Sequence, residues 1–88
     1  MTAFRLRVLS PDGPVFDGEV VQLSLRGADG DLAVLAGHIP FVTSVRPGDC
    51  RLLLPDESEK TLSVAGGLLT VGKDAVTLLF SSAEFTPG

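Results

Sequence analysis

At 88 residues, with a net charge of −4, a pI near 4.6 and a mean hydropathy of +0.36, the chain is long enough for one domain spanning residues 1–88. Surface scaling lets a chain this short hide only roughly 63% of its open area, so its core must be thin. Seven Lys and Arg residues without a run, and no Trp or Tyr, deny it the electrostatic footprint and most of the stacking platform of a nucleic-acid binder.

A single cysteine excludes an internal disulfide and fits a reducing compartment. No apolar run approaches a membrane span, and the opening MTAFRLRVLS reads neither as a signal peptide nor as an amphipathic transit sequence. A soluble protein on the cytosolic side is the expectation. With 44% hydrophobic residues, the chain carries more apolar side chains than so small a core easily encloses, which favours an apolar patch kept for contact with a partner.

In chain order, Phe4, Leu6 and Val8 alternate with Arg5 and Arg7, the period-two pattern of a strand with its apolar side inward. Pro11-Asp12-Gly13-Pro14 turns the chain. Val21, Leu23 and Leu25 alternate with Gln22, Ser24 and Arg26, and Gly27-Ala28-Asp29-Gly30-Asp31 closes that strand. Two apolar runs follow, separated by Gly37-His38-Ile39-Pro40. Gly37 can take backbone angles closed to other residues, while Pro40 fixes its own φ and pushes Ile39 to an extended form, so the segment reads as a rigid elbow presenting His38.

Pro47-Gly48 suits the central positions of a type II turn. A strand from Cys50 to Leu54 leads to the polar tip Pro55-Asp56-Glu57-Ser58-Glu59, after which Leu62 and Val64 resume the inward pattern. Gly66-Gly67 marks a bulge or a close backbone crossing. Gly72-Lys73-Asp74 turns into a last strand with Val76, Leu78 and Phe80 on one side. Turns at roughly eight-to-twelve-residue intervals, and no helical window free of Gly and Pro, predict an all-β fold.

Few residues invite a chemical reading. Gly67-Leu-Leu-Thr-Val-Gly72-Lys73-Asp74 satisfies a P-loop pattern until Asp74, where Ser or Thr is needed for magnesium, and Leu68 to Val71 reads as strand, so an ordinary hairpin turn is expected. His38 could act as a general base, but no motif supplies a nucleophile and an orienting acid. One His, one Cys and scattered carboxylates give no metal-ligand spacing, and Asp29 with Asp31 across Gly30 lacks the other positions of an EF-hand loop. Cys50, beside Leu52, Leu53 and Leu54, reads as a small core residue. No catalytic, cofactor-binding or metal residue is expected.

The ordered set of turns in GADGDLAVLAGHIPFVTSVRPG, followed by LSVAGGLLTVGKDAVTLL and preceded by FRLRVLSPDGPVFDGEV, resembles the amino-terminal domain of the epsilon subunit of F-type ATP synthases, called delta in mitochondria. The resemblance implies a flattened β-sandwich or barrel of roughly ten short, mostly antiparallel strands. It implies a non-catalytic rotor subunit at the foot of the central stalk, joining the gamma subunit to the membrane c ring during ion-driven ATP synthesis. The implied gamma-side residues are Ser10, His38 and Thr43, and the implied c-ring side is the turn carrying Asp29 and Asp31. Membrane association would come only through the complex, on the cytosolic face of a bacterial inner membrane or its plastid thylakoid equivalent.

There are departures from the family pattern. Ala36 stands where Pro usually precedes Gly-His, and Ala33 replaces a usual Gly. Typical members also continue beyond the point where this sequence ends in SSAEFTPG, into a helical hairpin that inhibits hydrolysis and in some binds ATP, so no ATP binding is expected of residues 1–88. Two other readings fit the residues without the resemblance. One is an unrelated β-sandwich adaptor, and the other a small hydrolase or nucleotide binder built on His38 or Gly72-Lys73.

Overall fold

Side-chain alternation yields strands throughout the computed structural model, which describes residues 2–37, 39–73 and 75–85. Among the described residues there are ten: β1 Phe4–Ser10, β2 Gly13–Val20, β3 Gln22–Gly27, β4 Gly30–Leu35, β5 Phe41–Val45, β6 Gly48–Leu53, β7 Glu59–Val64, β8 Gly67–Val71, β9 Ala75–Phe80 and β10 Ala83–Phe85. Hydrogen bonding runs in the order β10–β7–β6–β3–β5–β8–β9–β1–β2, with β4 on β3. Every pairing is antiparallel except the parallel pair of β1 and β9. The expected all-β class and strand count are both present.

The sheet turns over on itself where β3 meets β5. That contact is narrow: the ladder pairs only Gly27 with Val45, and the Arg46 N–H donates to the Arg26 carbonyl at 2.9 Å. On either side of it, the two halves send their inward residues into one core. Leu23, Leu52 and Leu62 come from one half and Leu6, Leu69 and Leu78 from the other, all fully buried. These are the apolar members of the alternating runs, and the polar members face water, which is how a period of two builds a half-solvated sheet.

Glycine is needed where the turns leave the allowed region for other residues. Pro11-Asp12 and Ala28-Asp29 are two-residue connections of the same design, and the positive φ in each falls on the glycine after Asp, 121° at Gly13 and 129° at Gly30. Gly67 is required for a different reason. A Cβ there would overlap the Leu79 carbonyl oxygen and lie 2.5 Å from Phe80 Cδ1, so the expected close backbone crossing is the form this glycine pair takes. At the β8–β9 turn the Gly72 N–H donates to the Ala75 carbonyl at 2.9 Å, placing strand at Gly67–Val71, where a P-loop would need a flexible loop.

Two features differ from the sequence reading. Gly48 has φ 149°, far from the value of about 80° that a type II turn demands. Pro47-Gly48 is instead a corner: β5 goes on to pair with β8, and β6 with β3 and β7. Alternation also does not announce β2. Its register against β1 shifts between Val8 and Leu9, which oppose Phe16 and Pro14, so a bulge at Val15 scrambles the pattern. Pro14 is tolerated because β2 ends the strand order and needs no donor on its outer edge.

Candidate interaction surfaces

Two surfaces stand out, one apolar and one acidic. The apolar one lies on the outer face of β5, β8, β9 and β1. Register places Leu9 opposite Leu79, Leu79 opposite Leu68, and Leu68 opposite Ser44 in one cross-strand row. The adjacent row is Arg7, Thr77, Thr70 and Val42. Leu68, Leu79 and Val42 are 42%, 47% and 62% exposed. Covering a half-exposed leucine is worth roughly 1 kcal/mol, about half of its full burial. The row is an adhesive stripe edged by hydroxyl and guanidinium groups.

Its origin is visible locally. Leu68-Leu69 and Leu78-Leu79-Phe80 break the alternation: Leu69, Leu78 and Phe80 fill the core, and Leu68 and Leu79 must then face out. A strand apolar on both faces is one that is covered on both. The composition pointed to a patch, and these consecutive apolar pairs are the signal that would have located it.

The acidic surface is the β3–β4 hairpin. Asp29 and Asp31 are exposed at its tip. Arg26 Nε lies 3.7 Å from Asp31 Oδ1, with the two side chains 70% and 88% exposed, so the pair adds little to stability. The Arg46 guanidinium donates to the Ala28 carbonyl at 3.1 Å. A groove of about 340 Å³ opens between this tip and the start of β5, lined by Asp29, Asp31, Phe41, Val42 and Thr43 among others. A broader polar depression of about 640 Å³ beside the hairpin is lined by Arg26, Asp31, Asp49 and Arg51 with their neighbours.

The structure thus brings Thr43 together with Asp29 and Asp31 around one groove. Ser10 stands apart from them, at the end of β1 next to Leu9, where its hydroxyl donates to the Gly13 carbonyl at 3.1 Å and closes the β1–β2 turn. His38 lies outside the described residues. Of its neighbours, Gly37 has φ 83°, an angle open to glycine as the sequence reading noted, and Ile39 is 78% exposed.

Cys50 is a core residue, 1% exposed. Burial, with the nearby Asp49 charge, pushes its thiol up from 9.0 to about 11, which removes the thiolate needed for nucleophilic attack at neutral pH. Among the described residues no three His, Cys, Asp or Glu side chains converge on a common point.

Comparison with known proteins agrees with this architecture. The family model for the ATP synthase delta/epsilon chain, β-sandwich domain, matches residues 3–86. The ATP synthase epsilon chain of Bacillus subtilis is 38% identical over 88 residues, covering all of this chain and 66% of that one. Its Bacillus velezensis counterpart is 39% identical over 84 residues, covering 96% of this chain and 63% of that one. The chain therefore spans slightly less than two thirds of the length of these relatives.

Among solved structures, a chain of the Euglena gracilis mitochondrial ATP synthase OSCP/F1/c-ring assembly superposes with a TM-score of 0.90 at 21% identity, over 97% of this chain and 54% of that chain. One from the Tetrahymena thermophila mitochondrial ATP synthase central stalk and c ring gives 0.76 at 12% identity, over 94% and 66%. At such low identities these two establish the shared fold. The matched family model and the full-length coverage by the Bacillus sequences go further: this chain belongs to the ATP synthase delta/epsilon family, as its β-sandwich domain.

Proposed function

We propose that the chain is a non-catalytic component of the central stalk of an F-type ATP synthase, joining the gamma subunit to the c ring so that rotation driven by ion flow reaches the catalytic head. The observation that carries this reading is the pairing of two chemically distinct contact surfaces on one core. The leucine row offers dry adhesion and the Asp29-Asp31 hairpin offers charge. A coupling of this kind needs shape and grip, and no reactive group.

In this reading the row of Leu9, Leu79 and Leu68, with Val42 in the adjacent row, is the larger part of the gamma-facing surface, Ser10 follows Leu9 on it, and His38 is assigned to the same partner. Thr43 lies on the boundary between that surface and the acidic groove. Asp29 and Asp31 meet the polar loops of the c ring, where exposed charges orient the contact more than they strengthen it. The chain is then peripheral to the membrane through the complex alone, on the cytosolic side in a bacterium or the equivalent side of a thylakoid. Membranes solubilised in mild detergent test this: an affinity-tagged chain is expected to recover gamma and the c subunit together. Recovery of neither by a folded, tagged chain would refute it.

A further inference from the structure

The acidic hairpin is poorly braced by the sheet that carries it. Among the described residues β4 pairs with β3 alone, and β6 covers β3 from Gln22 to Ser24. Beyond that, backbone pairing ties β3 to the rest of the fold at the Gly27–Val45 rung, and Leu25 and Leu32 seat the body of the hairpin in the core, which leaves the exposed residues 28–31 of the tip outside that packing. The Arg26–Asp31 ion pair lies within the hairpin, so it cannot fasten the hairpin to anything else.

One residue fastens the tip from outside the hairpin. Arg46 follows the last residue of β5, and it holds two carbonyls of the hairpin two residues apart. Its main-chain N–H donates to the Arg26 carbonyl at 2.9 Å, and its guanidinium Nη2 donates to the Ala28 carbonyl at 3.1 Å. The second bond reaches into the two-residue turn itself, past the point where β5 backbone bonds to β3. Because β5 also carries Val42 and Ser44 of the exposed face, the tie runs from the acidic tip to the strand that borders the leucine row.

We propose that Arg46 is a positioning residue: a strut that holds the Asp29-Asp31 tip at a set place against the β5 corner, so that the two contact surfaces move as one body. The proposal deepens the reading above and rests on it for the identity of what the tip meets. Mechanically it matters because a tip hinged only on its own ladder would swing when loaded, and displacement at one surface would not reach the other. The planar guanidinium on its long stem can span to a carbonyl while its charge stays in water.

The experiment compares the unaltered chain with Arg46→Met, which keeps most of the stem and removes the donors, and with Arg46→Lys, which keeps one donor. Amide hydrogen exchange is read residue by residue on each. In Arg46→Met the amides of residues 27–31 are expected to exchange about three- to tenfold faster, the loss of one modest hydrogen bond, with β8 and β9 amides unchanged. Arg46→Lys should restore most of the protection. Binding to detergent-solubilised c ring should weaken about threefold or more in Arg46→Met while its melting temperature falls by no more than about 3–11 °C, the cost of that one bond.

Tip exchange within twofold of the unaltered chain overturns the proposal. So does equal acceleration in β8 and β9, which would make Arg46 a residue of the fold at large. The double variant Asp29→Asn, Asp31→Asn separates the two levels. If it binds the c ring as tightly as the unaltered chain, the docking role of the tip fails, and the exchange result still decides whether Arg46 braces it.

Discussion

Replacing Gly67 by alanine is expected to destabilise the fold by about 3–4 kcal/mol, although it adds one methyl group. The added carbon would overlap the Leu79 carbonyl oxygen and sit 2.5 Å from Phe80 Cδ1. A flexible side chain could yield, but a carbonyl in the β8–β9 ladder cannot move without parting the strands at the Gly67–Phe80 pair. Overpacking costs about 1–3 kcal/mol, and each ladder bond lost adds roughly 1 kcal/mol. A domain of this size has a total stability of roughly 4–13 kcal/mol, so the change removes a large part of it.

Thermal unfolding followed by far-ultraviolet circular dichroism reads the effect, with roughly 4–8 °C expected per kcal/mol and hence a fall of about 15–30 °C. Gly37→Ala is the companion. Gly37 has φ 83° and nothing within 4 Å of the Cβ position, so only conformational strain opposes the change, about 1–2 kcal/mol. A drop below about 5 °C in Gly67→Ala, or equal drops in the two variants, would show that the crossing of β8 and β9 is looser than described and that the steric argument is wrong.

Leu68→Ser combined with Leu79→Ser should leave stability nearly unchanged yet weaken capture of gamma by tenfold or more, at roughly 1 kcal/mol per leucine. Leu23→Ala, at a fully buried position, should instead cost about 2–5 kcal/mol in urea unfolding, and similar stability losses in both variants would contradict the separation of surface from core. Cys50 ties stability to alkaline pH. Its folded value is raised from 9.0 to about 11, so the native state holds the proton that the unfolded chain releases, and stability is full below pH 9 and falls between 9 and 11. The loss should approach about 2–3 kcal/mol and vanish in Cys50→Ala, as measured by urea midpoints across that range. At the β6–β7 tip the Ser58 hydroxyl and N–H both donate to the Asp56 carboxylate and hold its pKa below 3.8. The ordering this gives is present above the usual carboxylate range and fades as pH falls through the lowered value. An acid titration of the Ser58 amide shift should show it, and an unshifted Asp56 midpoint would refute it.

The inward faces were legible from residues alone. Leu6 and Val8, Val21 with Leu23 and Leu25, Leu62 with Val64, and Val76 with Leu78 and Phe80 all sit in the core where alternation placed them, because the pleat sends every second side chain to the same face. The need for unusual backbone at Gly37 and for a close approach at Gly66-Gly67 was equally local, since each depends on what a Cβ permits. Family membership came from the order of such turns along nearly the whole chain.

The contact surfaces needed the tertiary structure. No stretch of sequence says that Leu9, Leu68 and Leu79 share a row, because the row crosses strands far apart in the chain, and one of its pairings is the parallel β1–β9 contact that no hairpin could announce. Thr43 and the Asp29-Asp31 tip meet around one groove only because the sheet folds over at Gly27 and Val45. Arg46 looked like one more dispersed charge until that fold brought it under Ala28. Alternation is a property of neighbours along the chain and is written in it, whereas register between distant strands is set by which pairings close the core, and it is that register which decides where the grip and the charge lie.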